Sequence, residues 1–196
     1  MEQEHKWVDP TPASLFLVFA ITFSFWAFLS GYVSPTALPL IGGYFLGFGI
    51  LWLVAGVIDF RMGDLLGGTI NSVFGILLGI APGLSFLVGG FGPSVGVAVD
   101  PRIDGWFILS TGVIFIPLAI AAGTRLWLIA LSLLNLGAAF IIIGLALAGL
   151  TGVGALLVGG WQLFASGIIM LYLAASMVIN TTFARPVLPM GSPIFK

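Results

Sequence analysis

Ala55-Gly-Val-Ile-Asp59-Phe-Arg61-Met-Gly63-Asp64 runs directly into Leu65-Leu-Gly67-Gly68-Thr69-Ile-Asn71-Ser72-Val-Phe74-Gly75. The first ten residues hold one of the few clusters of charge in an otherwise apolar chain. An apolar run of membrane-spanning length lies on each side of them. Together they describe a helical hairpin in a bilayer, with Asp59, Arg61 and Asp64 at its elbow. Asn71 and Ser72 fall about two turns into the second arm, where uncompensated polar groups are costly. A charged elbow with a polar spot inside one arm is a first sign of a path for a small polar solute.

Composition agrees with that reading. Of 196 residues, 60% are hydrophobic and 7% charged, against about 25% charged in ordinary soluble domains. Mean hydropathy is +1.22. Such a chain cannot cover a water-facing surface, so an integral membrane protein with the lipid bilayer as its surroundings is expected. A net charge of −1 offers no basic face for phosphates, which excludes a nucleic-acid partner. Without cysteine there are no disulfides, thiolate metal sites or Cys nucleophiles. The single histidine, His5, stands among Glu2, Glu4 and Lys6 in the N-terminal tail and reads as solvated rather than as a ligand. The first residues are acidic and lack an A-x-A-type cleavage site, so the first span is expected to be retained.

A helix needs about 20 mostly apolar residues to cross a bilayer. Six segments qualify: residues 13–30, 40–58, 65–87, 106–122, 126–150 and 155–179. The predicted fold class is an all-α integral membrane protein, a six-transmembrane-helix bundle. Its parts are an N-terminal tail over 1–12, the membrane domain over 13–180 and a C-terminal tail over 181–196. Continuous apolar runs disfavour a β-barrel, which alternates along segments of about ten residues. With the N-terminus in the cytoplasm, the inside carries Lys6, Arg61, Arg125, Arg185 and Lys196, and the outside only Arg102. The positive-inside rule therefore places both termini and the elbow in the cytoplasm, with the chain in the cytoplasmic (plasma) membrane.

Small residues at helical spacing, such as Gly43 with Gly47 and Gly75 with Gly79 and Gly83, allow helices to approach closely. They fit tight internal packing or self-association equally. Pro82 and Pro117 are expected to kink or break spans three and four. Trp7, Trp52, Trp106, Trp127 and Trp161 read as interfacial anchors.

Polar residues inside the spans are all neutral: Thr22 and Ser24, then Thr69, Asn71 and Ser72, then Ser132 and Asn135, then Gln162 and Ser166. Asn71 and Asn135 are the least comfortable in lipid. They either line a pathway or bond across a helix interface. No ionisable residue stands at mid-span, where a pump would keep a relay. Asp59 comes nearest and reads as the partner of Arg61 or Arg125. Gly92-Pro93-Ser94-Val95-Gly96 matches G-x-S-x-G, but it follows no strand and has no histidine base. No phosphate loop, metal-ligand cluster or cofactor motif is present, so neither an enzyme nor a cofactor is expected.

Several strings resemble a known family. Asp9-Pro10-Thr11-Pro12-Ala13-Ser14-Leu15 is similar to the Asn-Pro-Ala-Pro-Leu-Gly-Leu signature of the acetate uptake transporter family, which includes the succinate–acetate permease. Ala55-Gly56 followed by Asp59-Phe60-Arg61-Met62-Gly63-Asp64 resembles its elbow. Tyr172-Leu173-Ala174 and Val187-Leu188-Pro189-Met190-Gly191 resemble its closing strings. The resemblance implies six helices around a narrow path in each protomer and a homohexamer. It also implies passage of acetate or similar small monocarboxylates, in some members succinate, with channel-like or proton-coupled behaviour. It further implies an apolar constriction that falls by register on Val18 (with Phe19 beside it), Phe74 and Leu134. Polar contacts along the path are expected, from the cost of polar groups inside spans, at Thr22, Asn71, Ser72 and Asn135. Asp9 stands where the signature has Asn, Ala13-Ser14 where it has Leu-Gly, and Phe74 lacks the hydroxyl of the family's Tyr. The alternatives are a passive channel for small neutral solutes such as urea or amides, and a non-transporting membrane scaffold subunit.

Overall fold

The computed structural model describes residues 7–195. His5, Lys6 and Lys196 lie outside the described residues. Six helical spans among them are long and apolar enough to cross a membrane, and no strand occurs among them. They are α1 (Thr11–Leu29), α2 (Leu38–Arg61), a composite third span, α5 (Arg102–Ala122), α6 (Trp127–Leu147) and α7 (Gly154–Thr182). The third span is built from α3 (Leu65–Val73), a π-helical segment (Phe74–Ile80) and α4 (Ala81–Phe91). The protein is a multi-pass membrane protein.

The helix starts follow from local chemistry. Asp9 accepts a hydrogen bond from the Thr11 amide at 2.8 Å, and Pro12 occupies the first turn of α1, where its missing N–H costs nothing. The signature-like residues Asp9, Pro10 and Pro12 thus build the entry to the first helix. At the elbow Gly63 takes φ +79°, a conformation that favours glycine. Asp64 then caps α3 by accepting from the Gly67 amide at 2.8 Å.

The two prolines behave differently. Pro117 sits in an unbroken α5 on an exposed face, so the expected break does not occur there. Pro82 is buried at the start of α4. It offers no N–H to the carbonyl four residues back, and the widened π turns lie immediately before it. This places the irregular backbone in the middle of the membrane domain, beside the interior rather than against lipid, where such backbone is tolerated.

α5 packs along α6, α6 and α1 along α7, and α2 along the composite span. Glycine makes the tightest of these contacts possible. A Cβ on Gly79 would overlap the backbone of Gly49 in α2, and one on Gly112 would stand 2.7 Å from the Gly137 carbonyl oxygen in α6. Gly43 and Gly47 meet nothing within 4 Å and face outward.

Trp7, Trp106, Trp127 and Trp161 are exposed, but Trp52 is not an anchor: it is 0% exposed, in the core. It lies mid-helix on the inward face of α2, and its Nε1 donates to the Ser14 carbonyl at 3.1 Å. The stretch expected as a C-terminal tail is folded back on the bundle. Tyr172 donates its hydroxyl to the Pro189 carbonyl at 2.6 Å, and Asn180 accepts from the Val187 and Leu188 amides. The Ile194 amide donates to the Gly123 carbonyl at 2.7 Å. The elbow, the Arg125 turn and this strap share one end of the bundle, and Arg102 stands at the other.

Candidate functional site

Two cavities lie in line along the bundle, because successive turns of the same helices line them in order. The cavity toward the elbow has about 50 Å³ of room and is bordered by Ser14, Leu15 and Val18 of α1, Gly67, Ile70, Asn71 and Phe74 of the third span, and Arg125. The cavity toward the far end has about 30 Å³ and is bordered by Ile21, Thr22 and Phe25, then Leu78 and Pro82, with Ile108, Thr111 and Phe140. Each has room for a few water molecules.

An apolar layer separates them. Along α1 the boundary passes between Val18 and Ile21, along the third span just after Phe74, and along α5 at Phe115. Val18 and Phe115 are 0% exposed and Phe74 2%. Phe74 stacks on Phe115 with ring centroids 5.4 Å apart and planes 25° from parallel. Trp52 meets Phe74 edge-on at 5.5 Å, and Phe140 meets Phe115 edge-on at 5.6 Å. Offset and edge contacts of this kind fix aromatic rings in place. The facing side chains of Val18, Phe74 and Phe115 are apolar and offer no polar group to replace a hydration shell.

Leu134, assigned to this layer by register, is corrected by the structure. It is 51% exposed on the outer face of α6, whereas Leu133 and Leu136 are fully buried. A one-residue slip turns a helical side chain by about 100°, enough to move a constriction residue to the outside. Phe19 is half-buried on α1 and meets Phe23 in a tilted contact at 5.5 Å, and it borders neither cavity.

The polar candidates separate into two groups. Asn71 and Thr22 border the cavities, although the Thr22 hydroxyl already donates to the Val18 carbonyl at 2.7 Å. Asn135 does not border them. Its Nδ2 donates to the Gln162 carbonyl and to Ser166 Oγ, both at 2.8 Å, which locks α6 to α7. Ser72 packs where α3 meets α2; a Cβ on Gly56 would stand 2.8 Å from its hydroxyl. These two are helix-to-helix contacts.

The elbow charges pair differently from expectation. Arg125 holds Asp64 in a two-pronged ion pair, and its guanidinium keeps the Asp64 carboxyl below its ordinary value. The same contact raises Arg125. Arg61 is exposed and joins no ion pair among the described residues. Asp59 pairs with neither arginine: it is 1% exposed and accepts from Asn71 Nδ2 at 2.7 Å. A buried carboxylate therefore stands directly behind the one amide that borders the elbow-side cavity. Ser14, 5% exposed and bordering the same cavity, has a hydroxyl without a hydrogen-bond partner among the described residues.

Sequence alone does not mark Ser14, Trp52, Phe115 or Arg125 as a site residue. An aromatic or small hydroxyl residue in an apolar span carries no signal of which way it faces. Ser94, in the G-x-S-x-G match, bonds the Phe91 carbonyl in a surface turn. No group of residues able to hold a metal occurs among the described residues.

The described residues form a six-span membrane bundle with two cavities separated by an aromatic layer. No protein-family model and no curated protein matches the chain. Among solved structures, that of the bacterial acetate channel SatP superposes with a TM-score of 0.82 at 20% identity, covering 95% of this chain and all of that one. The six-helix fold is thereby shown to be the fold of that channel.

Proposed function

We propose that the protein is a channel or transporter of the acetate uptake transporter family that passes acetate and similar small monocarboxylates across the cytoplasmic membrane, with both termini in the cytoplasm. The observation that carries this reading is the pair of in-line cavities separated by the Val18–Phe74–Phe115 layer, in a fold shared over 95% of this chain with an acetate channel. A carboxylate stripped of water in a layer without polar partners faces a prohibitive desolvation cost. A carboxylic acid with a pKa of roughly 4 to 5 crosses as the neutral molecule and brings its own proton. The absence of a mid-layer relay residue fits that route. The signature-like strings and the open Gly43–Gly47 face support assembly of protomers, a hexamer by resemblance.

The reading is tested by uptake of labelled acetate into proteoliposomes, with short carboxylates and urea as competitors. Competition by propionate but not urea is expected; the reverse would favour a neutral-solute channel. Equal flux in protein-free vesicles would leave only a scaffold role.

A further inference from the structure

The elbow-side cavity ends on an amide whose orientation is set by a buried acid. Asn71 has one donor group and one acceptor group. Nδ2 donates one of its two N–H groups to Asp59 at 2.7 Å, so the amide is turned with Nδ2 toward the acid, and Oδ1 on its other side is the acceptor for a solute in the cavity that Asn71 borders. The unpartnered Ser14 hydroxyl borders the same space and can donate. An acceptor beside a hydroxyl complements an undissociated carboxylic acid, whose O–H donates to the first while its C=O accepts from the second. It is a poor match for a carboxylate, which offers acceptors only.

This arrangement depends on the charge of Asp59. An ionised carboxylate only accepts, so it holds Asn71 with Nδ2 toward itself. A protonated one donates as well, and then pairs equally with an Asn71 turned over, Oδ1 toward Asp59 and Nδ2 toward the cavity. The charged and titratable groups around it are Asp9 ahead of α1, Asp64 at the start of α3 and Arg125 before α6, with Arg61 on its own helix. Arg125 is engaged by Asp64, so no ion pair fixes the charge of Asp59. Gly67 lets α3 approach both acids: a Cβ there would stand 3.0 Å from Asp59 Oδ2.

Resting on the transport reading above, we propose that Asp59 is a specificity-determining, positioning residue whose ionised form orients Asn71 as an acceptor for the undissociated acid, and whose protonation releases that orientation. The solute site is Asn71 Oδ1 with Ser14 Oγ, and its ligand class is the neutral short-chain carboxylic acid.

The test is the ratio of wild-type to Asp59→Asn acetate flux in proteoliposomes, at one total acetate concentration, from about pH 4 to about pH 8. Solute speciation cancels in this ratio. The proposal predicts a ratio near one at the acid end that rises about twofold toward the alkaline end, because a released Asn71 presents Oδ1 to the cavity only about half the time. Asn71→Leu, which removes Oδ1 itself, should lower flux at every pH, with the wild-type to variant ratio still larger at the alkaline end than at the acid end, and serves if Asp59→Asn does not insert. A ratio constant across the range, with robust flux in each protein, overturns the switch and leaves the transport reading standing. Wild-type flux no greater than in empty vesicles overturns both.

Discussion

At the residue scale, function concentrates in a few side chains whose orientation matters more than their type. Phe115 has the same chemistry as Phe107 one helix face away, yet only Phe115 stacks on Phe74. Phe115→Ala should cost about 3 to 5 kcal/mol of stability and raise flux of acetate at neutral pH, because the layer loses the ring that closes it. Stopped-flow uptake together with thermal unfolding in detergent measures both effects. Leu133→Ala should act in the same direction on flux, whereas Leu134→Ala, on the outer face, should leave the rate within about twofold of wild type, as is usual for surface substitutions. The sequence made Asn71 legible as a costly polar group in a span, and Phe74 legible by resemblance. It could not say which face of α6 turns inward. The polar residues of that helix, Ser132 and Asn135, are turned toward α7, so no polar stripe marks its outer side, and Leu133 and Leu134 cannot be told apart without the packing.

At the element scale, the elbow and the α6–α7 lock hold the helices at the angles that leave room for a path. The Asp64–Arg125 pair joins the start of α3 to the turn before α6. It is partly exposed and worth up to about 1 kcal/mol. Because Asp64 is held below its ordinary value of 3.8, its contribution is fully present above that pH and is lost as pH falls through the lowered folded value. Unfolding in detergent from pH 6 down to pH 2, compared with Asp64→Asn, should show the variant losing less stability over the acid limb. Equal acid limbs in the two proteins would contradict the assignment. Asn135→Leu removes two bonds between α6 and α7 and should destabilise by about 1 kcal/mol, with the solute selectivity unchanged. Selectivity measured by competition separates that outcome from a pathway role. The span boundaries were legible because hydropathy reports length directly. The π segment was not, because it is set jointly by buried Pro82 and by the approach of Gly79 to Gly49.

At the scale of the whole molecule, the bundle gathers its charge at its two ends and keeps the space between them apolar. The bundle itself could be read from composition, six apolar runs and the placement of six basic residues. What sequence could not supply was the partner of Asp59. An acid next to Arg61 and near Arg125 reads as an ion pair, but the helix turns it inward to Asn71 twelve residues on. The polarity of the path is therefore set from behind, by a group that does not border the cavity. The account as a whole rests on passage of the neutral acid through an apolar layer. Its most direct test is initial acetate uptake by the wild-type protein in proteoliposomes as external pH is lowered at fixed total acetate. The account predicts a rate that climbs with the undissociated fraction; a rate that stays flat, or tracks the carboxylate instead, would contradict it.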